Sequence, residues 1–250
     1  MCTILFALNQ HPKYKLIYLG NRDEFKSRPT QPSCFWEDAP NLLAGRDLKA
    51  CGTWLGITRD KKLSFLTNHR NFKLNRENQS SRGELTVDYL RGNMSALEYL
   101  ECARKKRNQY NPYNLVAGTV DELYFYSNVE DHIVKVESGI HGLSNAFLDT
   151  AWYKVEKAKK RLKGLIEQDQ LDLEACFEIL KDSEIPADAY LPDTGIEIAL
   201  ERDLSSIFID LETYGTIYQT VILVDQEDQV TYVERYLDEH SIWQEQTVTF

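Results

Sequence analysis

The sequence predicts an α+β protein in which two mostly antiparallel sheets are covered by helices. Two observations carry this. Strand-like runs and helical segments come in groups, in the order strands, helices, strands, helices, strands. Successive strand-like runs are joined by tight turns, which favour antiparallel pairing over the long crossovers of a parallel sheet. The 250 residues suffice for one domain with a sizeable core over 1–250, and no repeat or low-complexity linker divides them.

The first element is the apolar run of residues 2–9, paired by a turn near Asn9-Gln10-His11-Pro12 with a second strand at 14–21. The stretch Glu24 to Asp47 is rich in Pro, Arg and Asp and reads as mostly loop. A hairpin follows at 53–58 and 63–68, turning at Arg59-Asp60-Lys61. Two helices then begin with capping boxes, Ser81-x-x-Glu84 and Ser95-x-x-Glu98, in which serine and glutamate each satisfy a backbone N–H left open by the first turn. Strands recur at 114–118, 122–128 and 131–136. A long helix from Thr150 sets Ala151, Val155, Ala158, Leu162 and Leu165 on one face, and its many basic residues read as the solvated face. A shorter helix covers 172–181. The chain closes with strands at 205–210, 219–224 and 229–235.

Composition narrows the function classes. A formal net charge of -10 argues against nucleic acid as a main partner, because phosphate binding needs basic patches. No apolar stretch is long enough to span a membrane, and no basic region precedes the N-terminal apolar run. Five widely spaced cysteines, Cys2, Cys34, Cys51, Cys102 and Cys176, read as free thiols of a reducing, cytoplasmic compartment. His11, His69, His132, His141 and His240 are scattered without metal-ligand spacing, and no Gly-rich phosphate loop occurs. The expectation is no metal and no required cofactor.

The chemistry gathers at the N-terminus. Removal of Met1 leaves Cys2 with both a thiol and an α-amine, whose reference pKa of about 8 suits it as base for its own side chain. Asn21-Arg22-Asp23-Glu24 ends the second strand, so a hairpin brings it beside Cys2. There Arg22 is expected to lower the thiol pKa, making Cys2 the most reactive of the five thiols, and Asp23 to hold the α-ammonium group. The plainer reading makes Cys2 a small hydrophobe and the tetrad a solvated turn. Asparagines at strand ends, Asn68, Asn114 and Asn145, offer amides to an oxyanion or simply cap turns. Ser81-Arg82-Gly83 opens a helix able to hold an anion, or merely caps it.

These residues resemble the NRDE family, named for the tetrad and including the transport and Golgi organisation protein 2 homologues. Matching segments run in order along nearly the whole chain: Gly45-Arg46-Asp47, Gly52-Thr53-Trp54-Leu55-Gly56, Leu66-Thr67-Asn68, Ser81-Arg82-Gly83, Asn114-Leu115, His141-Gly142-Leu143-Ser144-Asn145, Trp152, Ser205-Ser206-Ile207-Phe208 and Tyr214-Gly215-Thr216. The resemblance implies a four-layer αββα sandwich like that of N-terminal nucleophile hydrolases, near the bile salt and penicillin V hydrolases. It implies Cys2 as nucleophile, Arg22 and Asp23 as its support, and Asn68 and Asn145 as oxyanion donors. It assigns a small-molecule ligand to Asn21, Glu24, Trp54, Arg82, His141 and Tyr214. The family pattern usually follows Tyr-Gly-Thr with arginine, where this chain has Ile217. Two functions stay open on this likeness: hydrolysis of a small amide or thioester, and non-catalytic carriage of haem or an acyl lipid. For haem, Cys2, His69 or His141 are the axial candidates.

Overall fold

The computed structural model describes residues 2–250. In chain order the strands are β1 (Cys2–Leu8), β2 (Tyr14–Phe25), β3 (Thr30–Trp36), β4 (Ala39–Asp47), β5 (Leu55–Thr58) and β6 (Lys62–Asn68). Helices α1 (Gly83–Arg91) and α2 (Ala96–Lys105) follow, then β7 (Tyr113–Thr119), β8 (Leu123–Ser127), β9 (His132–Lys135) and β10 (Gly139–Leu143). Helices α3 (Tyr153–Glu167), α4 (Leu173–Leu180) and α5 (Ile198–Asp203) precede β11 (Tyr214–Asp225), β12 (Val230–Leu237) and β13 (Trp243–Thr249). Contacts divide the chain into two compact units, one comprising Met1–Ser27 with Ser138–Phe250 and the other Arg28–Glu137.

The first unit is a six-stranded sheet in the order β10-β1-β2-β11-β12-β13, antiparallel throughout. Alternation puts Leu5 and Ala7 of β1, Ile17 and Leu19 of β2, Val221 and Leu223 of β11 and Val233 of β12 on one face. That face packs on Ala158 and Leu162 of α3 and on Cys176, Phe177, Ile179 and Leu180 of α4. Each fully buried leucine in this layer is worth roughly 1.5–3 kcal/mol of transfer free energy. The second unit is a seven-stranded antiparallel sheet, β3-β4-β5-β6-β7-β8-β9. Its core joins Leu42, Ala44, Leu66, Leu115, Ala117 and Tyr126 of the sheet to Leu85, Leu90, Leu100 and Ala103 of α1 and α2.

Several elements differ from the sequence expectation. The predicted 24–47 loop contains β3 and β4, whose pairing is interrupted by register shifts, so simple alternation is hidden. The predicted strand at 205–210 is irregular: Phe208 N–H donates to Asp182 O, and Asn21 donates to Ile207 O. The capping box at Ser95 forms with Glu98, but the one at Ser81 does not. Arg82 takes the cap position of α1, and Glu84 instead accepts the Tyr110 hydroxyl at 2.6 Å.

Candidate active site

Cys2 lies directly opposite Arg22 in the β1–β2 ladder, and Arg22 lies opposite Tyr218 of β11. These three occupy one row on the sheet face turned away from α3 and α4. Arg22 is 5% exposed, sits 3.6 Å from Glu24 Oε2 and lies over the Tyr218 ring at 5.9 Å. Tyr18, four residues before Arg22 on the same face of β2, extends its hydroxyl over Gly20. A Cβ at Gly20 would lie 2.5 Å from that oxygen, so only glycine leaves the ring this path. Burial foremost, and the nearby Cys2, push the Tyr18 phenol well above its ordinary range.

The helix-covered face carries the other half of the tetrad. Both amide hydrogens of Asn21 are engaged, by Leu180 O at 2.8 Å and Ile207 O at 2.9 Å, and its Oδ1 accepts from Gln219 at 3.2 Å. Asn21 thus braces the sheet against α4 and the 205–209 segment. Asp23, 2% exposed, accepts the Thr216 hydroxyl at 2.7 Å, while Ile209 N–H donates to that same hydroxyl at 3.0 Å. Tyr214 donates from its hydroxyl to Asp23 O at 3.0 Å.

A β-bulge makes this division possible. Thr216 pairs with Asp23 and Tyr218 with Arg22, so Ile217 is the inserted residue. Without it, Thr216 and Tyr218 would share a face; with it, one strand serves Asp23 on one side and Arg22 on the other. Gly215 enters the same turn so closely that a Cβ would lie 2.4 Å from Ile209 O.

The turn after β10 brings a third set. Ser144 donates its hydroxyl to Cys2 O at 2.9 Å, with Asn145 Oδ1 3.5 Å from that hydroxyl. His141 stacks on Phe6 at 5.3 Å, and its Nδ1 lies 2.7 Å from Asp149 Oδ2. The other Asp149 oxygen accepts from Gly142 N–H at 2.9 Å and Lys159 at 2.7 Å. Burial works to raise the Asp149 carboxyl, but these hydrogen bonds prevail and hold it at about 2.

Electrostatics run against one expectation, that Arg22 lowers the Cys2 pKa. Burial pushes the Cys2 thiol above its ordinary value and the Asp23 carboxylate adds to this; the Asp23 backbone N–H and Arg22 oppose it without prevailing. Exposed Cys51 is therefore better placed than Cys2 to react first with a reagent in solution. Asp23 is likewise raised, by burial above all, against the opposing pull of Lys154, Thr216 and Arg22.

The remaining predicted residues belong to the second unit. Asn68 ends β6 opposite Tyr113, and the Asn114 amide donates to Thr67 at 3.0 Å. Trp54 places its ring against Gly45, and Arg82 donates to Pro112 O at 3.0 Å. His69 is held below its ordinary pKa by burial. Among the described residues no group of three or more His, Cys, Asp and Glu side chains could hold a metal ion, and no helix is long and apolar enough to cross a membrane.

Tyr18, Ser144, Lys154 and Thr216 were not singled out as site residues from sequence. Ser144 and Thr216 lie within the motifs His141-Gly142-Leu143-Ser144-Asn145 and Tyr214-Gly215-Thr216. Lys154 had a signal of its own, since 154, 158 and 162 form an i, i+4, i+8 row on the buried stripe of α3. It is 3% exposed, a correction to the solvated face expected of this helix.

The family model described as Transport and Golgi organisation 2 matches residues 1–239. The chain belongs to this family. The Transport and Golgi organization protein 2 homolog of Bos taurus is 35% identical over 256 residues, covering 94% of this chain and 92% of that protein. The Mus musculus homolog is 33% identical over 273 residues, covering 100% and 99%. Two solved variants of the conjugated bile acid hydrolase from Clostridium perfringens align over 99% of this chain and 92% of theirs. The cysteine-to-alanine variant gives a TM-score of 0.53 at 9% identity, and the arginine-to-leucine variant 0.54 at 10%. At such identity the likeness is of fold. This member of the Transport and Golgi organisation 2 family thus has the N-terminal nucleophile hydrolase-like α+β fold that the motifs implied.

Proposed function

We propose that this protein hydrolyses an amide or thioester bond of a small acyl compound, with Cys2 as nucleophile. The observation that carries the reading is the placement of Cys2 opposite Arg22, with the Asp23 backbone N–H directed at its sulfur. Once Met1 is removed, the α-amine takes the thiol proton and the sulfur attacks the acyl carbonyl. The ammonium returns the proton to the departing amine or thiol, and water then releases the acyl group as its acid. Arg22 steadies the developing thiolate. Asn145, next to the Ser144 hydroxyl that holds Cys2 O, is the oxyanion donor. A thiol whose pKa is pushed up by burial works against an axial thiolate to haem.

Intact mass establishes whether Met1 is lost. Wild type and Cys2→Ser are then given a panel of short acyl amides and acyl thioesters beside a haem titration. Turnover by wild type, lost or slowed in Cys2→Ser with an acyl adduct on residue 2, is the expected result. No turnover together with a stoichiometric Soret band overturns the proposal.

A further inference from the structure

The loop between β10 and α3 carries Ser144 and Asn145, and one carboxylate closes its base. The β1–β10 ladder ends at the Ile4–Leu143 pair. Past that end, the Ser144 hydroxyl donates to Cys2 O at 2.9 Å. Four residues after Asn145, the Asp149 N–H donates to Gly142 O at 2.8 Å, and Asp149 Oδ1 accepts from Gly142 N–H at 2.9 Å. The same oxygen accepts from Lys159 of α3 at 2.7 Å, and Oδ2 lies 2.7 Å from His141 Nδ1. Residues 143–148 thus form a closed loop whose base is gripped from β10 and from α3. Lys159 reaches it because Gly142 has no side chain: a Cβ there would lie 2.5 Å from Val155 Cγ1 and 3.2 Å from Lys159 Cδ. Asp149 has a φ of 57°, a conformation that is costly with a side chain and free to glycine. The turn of the chain calls for glycine there, and the three grips call for a carboxylate.

We propose that Asp149 is a positioning residue of the Cys2 site, its carboxylate clamping the 143–148 loop to β10 and α3 so that Ser144 holds the Cys2 carbonyl and Asn145 stays beside it. Giving the clamp a catalytic purpose rests on the hydrolase reading above; the clamp itself does not. Its hydrogen bonds keep the carboxyl ionised against the pull of burial, so Lys159 meets a full negative charge. Without that carboxylate, β10 keeps its pairing with β1 up to Leu143, while the loop beyond it loses its tie to α3. The Ser144 hydroxyl then no longer has a fixed place from which to hold Cys2 O.

The test compares Asp149→Gly and Asp149→Asn with wild type. Glycine keeps the backbone conformation and removes the clamp; asparagine keeps the shape and removes the charge. In hydrogen exchange read by peptide mapping, loop 143–150 should exchange about tenfold faster in both variants, with α4 and residues 28–137 unchanged. Limiting iodoacetamide should label Cys2 faster in both, and in Ser144→Ala. Adding Ser144→Ala to Asp149→Gly should change that rate by less than about twofold further, since both act along one path. A residue that serves only to turn the chain lets Asp149→Gly keep wild-type exchange, and this overturns the proposal. So does a loosened loop with an unchanged Cys2 rate, or a full-sized Ser144→Ala effect on top of Asp149→Gly. Lys159→Met withdraws one grip from α3 and should shift the same peptides by a smaller factor. No shift there overturns the proposal even if Asp149→Gly fails to fold. On an acyl substrate that wild type turns over, Asp149→Asn should lower kcat about 10–100-fold with KM within about threefold, and an unchanged kcat overturns the positioning role. Absence of acyl turnover in wild type defeats the hydrolase reading, while exchange and alkylation still decide the clamp.

Discussion

Replacing Thr216 by valine deletes one hydroxyl from the centre of the site and changes little else in shape. In the folded protein that hydroxyl donates to Asp23 Oδ1 at 2.7 Å and accepts from Ile209 N–H at 3.0 Å, and all three residues are buried. The hydrogen bond to a charged acceptor is worth about 1.5–3 kcal/mol, and the Ile209 amide left without its acceptor costs about 1–3 kcal/mol. The added buried methyl of valine returns about 0.8 kcal/mol. The expected net loss is about 2–5 kcal/mol, measured as a shift in urea midpoint at unchanged m-value. Thr249→Val, on the exposed strand β13, is the control and should stay within about 0.5 kcal/mol of wild type. A Thr216→Val loss no larger than the control would refute the view that this hydroxyl holds Asp23 in place.

Three further outcomes are expected. Asp149 titrates at about 2 when folded, below its ordinary value, so it stabilises the protein above about pH 4 and that contribution is lost as the pH falls toward 2. Its side chain is 34% exposed, so screening limits this to about 1–2 kcal/mol; Asp149→Asn should flatten the acid limb of an unfolding curve by that amount. Ser95→Ala should cost about 0.5–2 kcal/mol in urea melts because its capping box is made, whereas Ser81→Ala should stay within about 0.5 kcal/mol. With limiting iodoacetamide at neutral pH, peptide mapping should find Cys51 labelled before Cys2, and Cys176, pushed by burial to about 12, last. The Cys2 rate should climb steeply as the pH rises through its raised pKa.

The hairpin of β1 and β2 was legible because its apolar runs are unbroken and its turn is short. That alone put Arg22 beside Cys2. β3 and β4 were not legible: Pro32 and two register shifts break the alternation that marks a strand. β13 reads Trp-Gln-Glu-Gln-Thr-Val-Thr, an exposed edge with no apolar face to reveal it. The segment containing Ile207, Phe208 and Ile209 misled in the opposite sense: its apolar residues are buried, but its backbone bonds go to Asp182, Thr216 and the Asn21 side chain rather than to a ladder. Within the site, the residue types were visible and their faces were not. The bulge at Ile217 decides which side Thr216 serves, and no pattern of one strand announces a bulge in its partner. Lys154 was hidden by its charge, although its spacing placed it among the buried positions.

The order of strands in the first sheet bears on how the protein is made. β1 and β2 leave the ribosome first, but their outer edges are filled only by β10 and β11. Between Phe25 and Tyr214 lie about 190 residues, which take roughly 10–40 s to synthesise at about 5–20 residues per second. During that interval Arg28–Glu137, a contiguous stretch with its own core, can close by itself. The nascent N-terminal hairpin meanwhile exposes the β1 edge until β10 is made, the β2 edge until β11 is made, and the apolar face that later meets α3 and α4. Such edges invite off-pathway pairing with other chains. The Cys2 strand thus waits for β10 to close its outer edge, while β2 keeps an open edge until β11 emerges, and the nascent chain is most in need of a chaperone before then.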